Sequence, residues 1–306
     1  MNANRQRSVI MGGPYGASTS MERQHKMAQS HLAKWFPGRV EHYYREQKRG
    51  YSQRQVGAFM AVNYQTVGRW EQGKKCPTVG EVLALAKFLK IPQELSDYME
   101  EIARNESRKN FQSDRRFNAL CLQFAEMYNG LIHKWEPLFI PGIAQTKAYH
   151  FNIVGEAEGT TDEQLNRGWL FKVERYNALL ARTDNQKVVL LISETALRNL
   201  RFLSEADRTE QLERLRYLDS LPNWEIRIVS ALHPEGGGAF SIYRADGADF
   251  GGPAFVYTEV WDDSWCIEET DRIARYDDLW RILLGKSITL KEYLDDRRDG
   301  LAQEHP

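Results

Sequence analysis

The stretch SQRQVGAFMAVNYQTVGRWEQGKKCP, Ser52 to Pro77, constrains the fold more than any other part of the chain. Ser52 and Gln55 have the spacing of a capping box, which opens a helix by satisfying its first free backbone N–H groups. Val56, Phe59 and Met60 follow at helical spacing and form the expected inward face of that helix. After Ala61, Val62 and Asn63, the asparagine is placed to cap a second helix from Tyr64 to Gln72, with Val67 and Trp70 three apart on its inward side. Gly57 sits where the two helices would cross; the close approach offsets its helix penalty of about 1 kcal/mol.

A helix this short is marginal alone in water, so its apolar stripe must pack while its other face stays polar. That face carries Tyr64, Gln65, Gly68, Arg69 and Gln72. Gln can pair bidentately with adenine and Arg with guanine in a major groove, and Tyr64 and Thr66 can reach phosphates or a thymine methyl. Gly68 would leave room for close approach.

The stretch resembles the lambda-repressor-like, or XRE-type, helix-turn-helix family, in which a Gln opens the first helix and Glu-x-Gly-x-x-x-Pro follows the second. Gln53, Glu71, Gly73 and Pro77 match, and the resemblance extends from Gly38 to Leu95, with Val79, Val82, Leu83, Ala86 and Leu89 as core positions of the later helices. Ala61 departs from the pattern, since the family usually has a glycine with positive φ there, at a cost of roughly 1 kcal/mol for a residue with a Cβ. The resemblance implies a five-helix all-α head bound to double-stranded DNA. It implies a phosphate contact for Gln53, base contacts for Gln65 and Arg69, and backbone contacts for Lys74 and Lys75.

Charge divides along the same line. Residues 1 to 110 hold 18 Lys and Arg against 10 Asp and Glu, and the remainder 23 against 32, behind a net charge of -1. A basic head on an acidic body suits a DNA-contacting module joined to a controlling one. Cys76, Cys121 and Cys266 are too few and too far apart for a disulfide framework or a close metal site, and the seven histidines show no zinc spacing. Without a long apolar run or a signal-like N-terminus, the protein is expected in the cytoplasm, on the nucleoid, with no membrane partner.

Residues 1–33 read as a polar, Gly-rich tail that is disordered or partly helical, 34–95 as the head, and 96–306 as a mixed α+β domain, so the chain as a whole is α+β. Helices are expected near Gln112–Tyr128, Thr146–Val154, Asp162–Ala181, Ala206–Ser220, Arg272–Leu284 and Leu290–Arg298. Strands are expected near Lys187–Ile192, Trp224–Ser230, Ala239–Tyr243, Ala254–Val260 and Ser264–Ile267.

The segments EPLFIPGIAQTKAYHFNI, VERYNALLAR and LISETALRNL resemble a large C-terminal domain found behind XRE heads in many actinobacterial regulators, often described as antitoxin-like. The resemblance implies a small partner protein and no established catalytic activity, and the acidic, aromatic surface expected of this domain could bind that partner or a small-molecule effector. His233, Tyr257, Trp261 and Trp265 are the candidate effector or partner residues. The Gly236–Gly238 and Gly251–Gly252 runs lack the Lys and Ser or Thr of a phosphate loop and are expected to be turns. Asp262, Asp263, Glu268 and Glu269 could in principle hold a divalent metal for nuclease chemistry, the enzyme alternative, but read better as a solvated acidic edge. The expectation is a homodimeric transcription regulator on two half-sites, not an enzyme, with no cofactor and no metal.

Overall fold

The computed structural model describes residues 31–104, 115–158, 161–230, 238–259 and 264–301. Five helices make the head: α1 (His31–His42), which continues into a wider π-helical turn over Tyr43–Lys48, α2 (Gln53–Phe59), α3 (Tyr64–Glu71), α4 (Val79–Leu89) and α5 (Gln93–Arg104). The Ser52–Gln55 capping box opens α2, and a second one, Thr78 with Glu81, opens α4. Val56, Val67, Trp70, Val82, Leu85 and Leu89 form the buried centre.

Three positions differ from the expected core, and one of them, Val79 at the start of α4, is only partly buried. Phe59 is half exposed and stacks on Phe88, ring centroids 3.9 Å apart. Leu83 is also exposed, because α4 turns Val82, Leu85, Ala86 and Leu89 inward, an i, i+3, i+4, i+7 stripe that leaves position 83 out.

Helix α6 (Arg115–Tyr128) leads into a body built on a seven-stranded mixed sheet. Its strands are β1 (Leu131–Glu136), β2 (Lys187–Ser193), β3 (Trp224–Val229), β4 (Phe240–Arg244), β5 (Phe255–Glu259), β6 (Ser264–Ile267) and β7 (Ser287–Thr289), in the order β6-β5-β4-β1-β2-β3-β7. The β1–β2 and β2–β3 pairs are parallel and the rest antiparallel. The first crossover carries α7 (Lys147–Tyr149), α8 (Gly155–Glu158) and α9 (Asp162–Leu180); the second carries α10 (Glu194–Arg198) and α11 (Glu205–Asp219). The long α12 (Thr270–Gly285) precedes β7, and α13 (Leu290–Leu301) follows it.

Alternation along the strands separates two cores. Trp135, Val189, Leu191, Ile242 and Val256 pack with Ile273, Trp280 and Leu283 of α12 on one face. Ile132, Val188, Leu190, Ile192 and Tyr243 face the other way and join a core continuous with the head.

Strand β1 is central to the sheet yet has no expected counterpart in the sequence reading. Its LIHKWE pattern places a lysine on a buried face, a reading that becomes sensible only once a partner charge is present.

The head and body meet along α1. The Leu32 N–H donates to the Glu268 carboxylate at 2.7 Å, and the Trp35 indole N–H donates to the Phe250 carbonyl at 3.2 Å. The Phe36 ring packs between Tyr98 of α5 and Phe124 of α6, with centroids 4.7 and 5.3 Å away. A Cβ on Gly252 would lie 2.9 Å from the Trp35 ring, so this glycine is a packing surface for the indole and not part of a phosphate loop. Gly236 and Gly237 lie outside the described residues.

Candidate nucleic-acid interface

The α2–α3 unit is held at the crossing by Gly57, where a Cβ would stand 2.9 Å from the Val62 carbonyl oxygen. The turn between the helices runs through Ala61 at φ +52°, a left-handed conformation adopted in spite of the alanine Cβ. Asn63 ends the turn, its side-chain oxygen accepting the Gln65 N–H at 2.9 Å. The turn therefore keeps the geometry of a glycine-containing one at a small energetic cost.

On α3, Val67 and Trp70 are fully buried while Gln65, Arg69 and Gln72 point into solvent. Among the described residues the side chains of Gln65 and Arg69 make no hydrogen bond, so both are available to base edges. Thr66 is half buried. Tyr64 is 43% exposed, with the Arg54 guanidinium 5.5 Å from its ring centre. Lys74 and Lys75 are exposed just past the helix; Lys75 also stands 4.0 Å from Glu81.

Gly68 of α3 lies against Gln53 at the start of α2. A Cβ on Gly68 would meet the Gln53 carboxamide at 3.4 Å, an ordinary contact distance, so Gln53 covers one side of Gly68. The Gln53 Nε2 donates to the Glu71 carboxylate, which also accepts from the Arg45 guanidinium. Arg39, reaching across from α1, donates to the backbone carbonyl of Glu71. Burial alone would raise the Glu71 carboxyl, but its hydrogen bonds to His42, Arg45 and Gln53 outweigh burial and hold it at about 2. A buried anion thus ties α1, α2 and α3 together behind the exposed face. Glu71 was visible in sequence only as a motif letter; the basic residues around it, Arg39, His42 and Arg45 at helical spacing, were the available signal.

The same α1 carries the contact to the body. The Arg39 guanidinium lies 4.8 Å from the Phe250 ring centre and 5.4 Å from that of Tyr128, inside the range of a cation–π contact.

The four residues singled out for the body do not form one cluster. His233 and Trp261 lie outside the described residues. Tyr257 is buried on the face that carries Ser241 and pairs with Cys266, whereas Trp265 pairs with Thr258 and packs on the opposite core beside α12. Adjacent positions on a strand point to opposite faces, so Tyr257 and Trp265 cannot close a single cage. Asp262 and Asp263 also lie outside the described residues, and Glu268 is engaged by the Leu32 N–H. Among the described residues no three His, Cys, Asp or Glu side chains are grouped to hold a metal.

What the body does contain is a cavity of about 330 Å³ between the sheet and α9, with Lys134, Glu136, Ser241, Tyr257, Lys172 and Arg175 on its walls. The segment from Glu136 to Val154 supplies much of one side, including Phe139, Ile140 and His150. Beneath the cavity Glu126 is fully enclosed. Arg175 grips both of its oxygens and the Lys134 ammonium stands 3.0 Å away. Burial would raise the Glu126 carboxyl, but the two cations prevail and hold it at about 2. Lys134 also donates to the Tyr243 hydroxyl at 2.7 Å, and its own pKa is lowered by burial.

Comparison with protein families finds two matches: one described as Helix-turn-helix over residues 42–92, and one described as Domain of unknown function (DUF5753) over residues 126–292. Neither the curated proteins nor the solved structures searched contain a match. The first family match begins at the end of α1, so the helix that joins head to body lies almost wholly outside both. Among the described residues no helix is long and apolar enough to cross a membrane.

Proposed function

The chain belongs to the DUF5753 family, and from that body carried behind a helix-turn-helix we propose a regulator that reads the major groove with α3 and is controlled through its C-terminal domain. The helix-turn-helix makes the protein a DNA-binding transcription regulator. In the finer reading Gln65 and Arg69 contact base edges, and Tyr64, Thr66, Lys74 and Lys75 contact the backbone. Gln53 acts mainly by holding Glu71 and covering one side of Gly68, with any phosphate contact secondary. Two copies on two half-sites fit this kind of head.

The observation that carries the reading is the exposed, unengaged pair Gln65 and Arg69 on a helix whose opposite face is fully buried. Control through the body is supported by α6, which has Leu122 and Glu126 toward the cavity and Phe124 and Tyr128 toward α1. A shift of α6 would be felt by α1, and through Arg39 by the Glu71 cluster.

The experiment selects a preferred sequence from randomised DNA with the full chain, then measures affinities for it and for unselected DNA. Gln65→Ala and Arg69→Ala are each expected to lose about 1 to 3 kcal/mol on the selected sequence and little elsewhere. Equal weakening on every sequence overturns base reading.

A further inference from the structure

The charged groups in and beneath the cavity between the sheet and α9 are even in number, Lys134, Lys172 and Arg175 against Glu126, Glu136 and Glu259, but unequal in their hydrogen bonds. The cations are committed: Arg175 and Lys134 to Glu126, and Lys172 to the Gln145 carboxamide oxygen at 2.7 Å and to His150 Nδ1 at 2.9 Å. The cavity's own carboxylates are not. Glu136 makes no hydrogen bond or ion pair among the described residues, and Glu259, at the mouth, accepts only from the Tyr257 hydroxyl of its own strand.

The register brings these two acids to one face. Lys134 pairs with Ser241 and Ser241 with Tyr257, so Glu136 and Glu259 each stand two residues further along their strands on the cavity side. Burial, with the nearby Glu259 charge adding to it, pushes the Glu136 carboxyl up to about 7 against the pull of Lys134 and Lys172. A half-buried carboxylate facing a second one is stabilised by a cation between them. Leu122, Phe139, Ile140, Val154 and Leu165 give the wall an apolar part beside the polar Gln145, His150 and Gln164, and that part suits a short carbon skeleton.

We propose that this cavity binds a small organic ligand through an ammonium group placed against Glu136 and Glu259, with its hydrocarbon end on the apolar part of the wall. Its volume of about 330 Å³ restricts the ligand to a small molecule. The site lies far from α3 in sequence and involves none of its residues, so ligand binding stands or falls without DNA.

The test is calorimetric titration of the full chain, without DNA, with n-butylammonium and phenethylammonium, against n-butanol, phenethyl alcohol and n-butyrate. Saturable binding of at least one ammonium is expected, with no binding of the alcohols or of butyrate. Glu136→Gln should weaken that binding at least tenfold, while Arg69→Ala should leave it unchanged. If Glu136→Gln does not fold, Glu259→Gln carries the test, since residue 259 is exposed and its loss should weaken binding several-fold. No saturable ammonium binding, undiminished binding in the folded glutamine variant, or preference for butyrate would each overturn the proposal.

Discussion

Gly38 of α1 is pressed against Trp70 of α3 so closely that a Cβ at position 38 would lie 1.9 Å from the Trp70 carbonyl oxygen. The neighbour is backbone and cannot rotate away. The first helix therefore crosses α3 at a point only glycine permits, one residue from the Arg39 that caps the Glu71 carbonyl.

Gly38→Ala is accordingly expected to cost at least the 1 to 3 kcal/mol typical of overpacking and to abolish specific DNA binding. Gly80→Ala is the matched control. Residue 80 lies in the first turn of α4 with open space where the Cβ would go, so alanine there should be neutral or stabilising by about 0.5 to 1 kcal/mol. Thermal melts of both variants check the pair, and similar effects at the two positions would contradict the crossing.

Lys74→Ala should weaken binding to every DNA sequence and lower the slope of log affinity against log salt by about one. Lys75→Ala is expected to have the smaller effect, because Lys75 shares its charge with Glu81 at 4.0 Å. Titrations at several salt concentrations decide between them. An unchanged slope in Lys74→Ala would remove that residue from the phosphate contacts.

The α1 contact with the body changes what a truncated head can do. Trp35 and Phe36 bury their rings against Gly252 and Phe124, surfaces that a chain ending at residue 110 would lack. Trp35→Ala should cost about 3 to 5 kcal/mol, and an isolated 22–110 head should melt well below the full chain. Equal melting of the two would show that the interface contributes nothing to the head.

Glu126 sets a pH dependence. Its folded pKa of about 2 lies below the ordinary 4.5, so its stabilisation is fully present above pH about 4.5 and is lost as pH falls from there toward 2. Glu126→Gln strands Arg175 and Lys134 and should cost about 3 to 5 kcal/mol at neutral pH. Its stability should then vary less with pH between 4.5 and 2 than that of the unaltered chain, as measured by denaturant unfolding at a series of pH values.

The sequence by itself determined what depends on neighbours a few residues apart. Ser52 and Gln55, Asn63 and Gln65, and the Val67–Trp70 stripe are local rules of capping and period, and they placed α2, α3 and the exposed Gln65 and Arg69 within a residue or two. Ala61 adopted the strained turn that its position required. Only the tertiary structure decided which polar residues belong inside. Lys134 is a core residue because Glu126 and Tyr243 meet it from 8 and 109 positions away, and without them β1 reads as a broken strand. Trp35 needed Gly252, Gly68 met Gln53, and Glu136 acquired its cavity only when β1, β5 and α9 came together. A buried charge or a close glycine contact carries no local signature, since its energy lies in a partner that the chain brings up from far away.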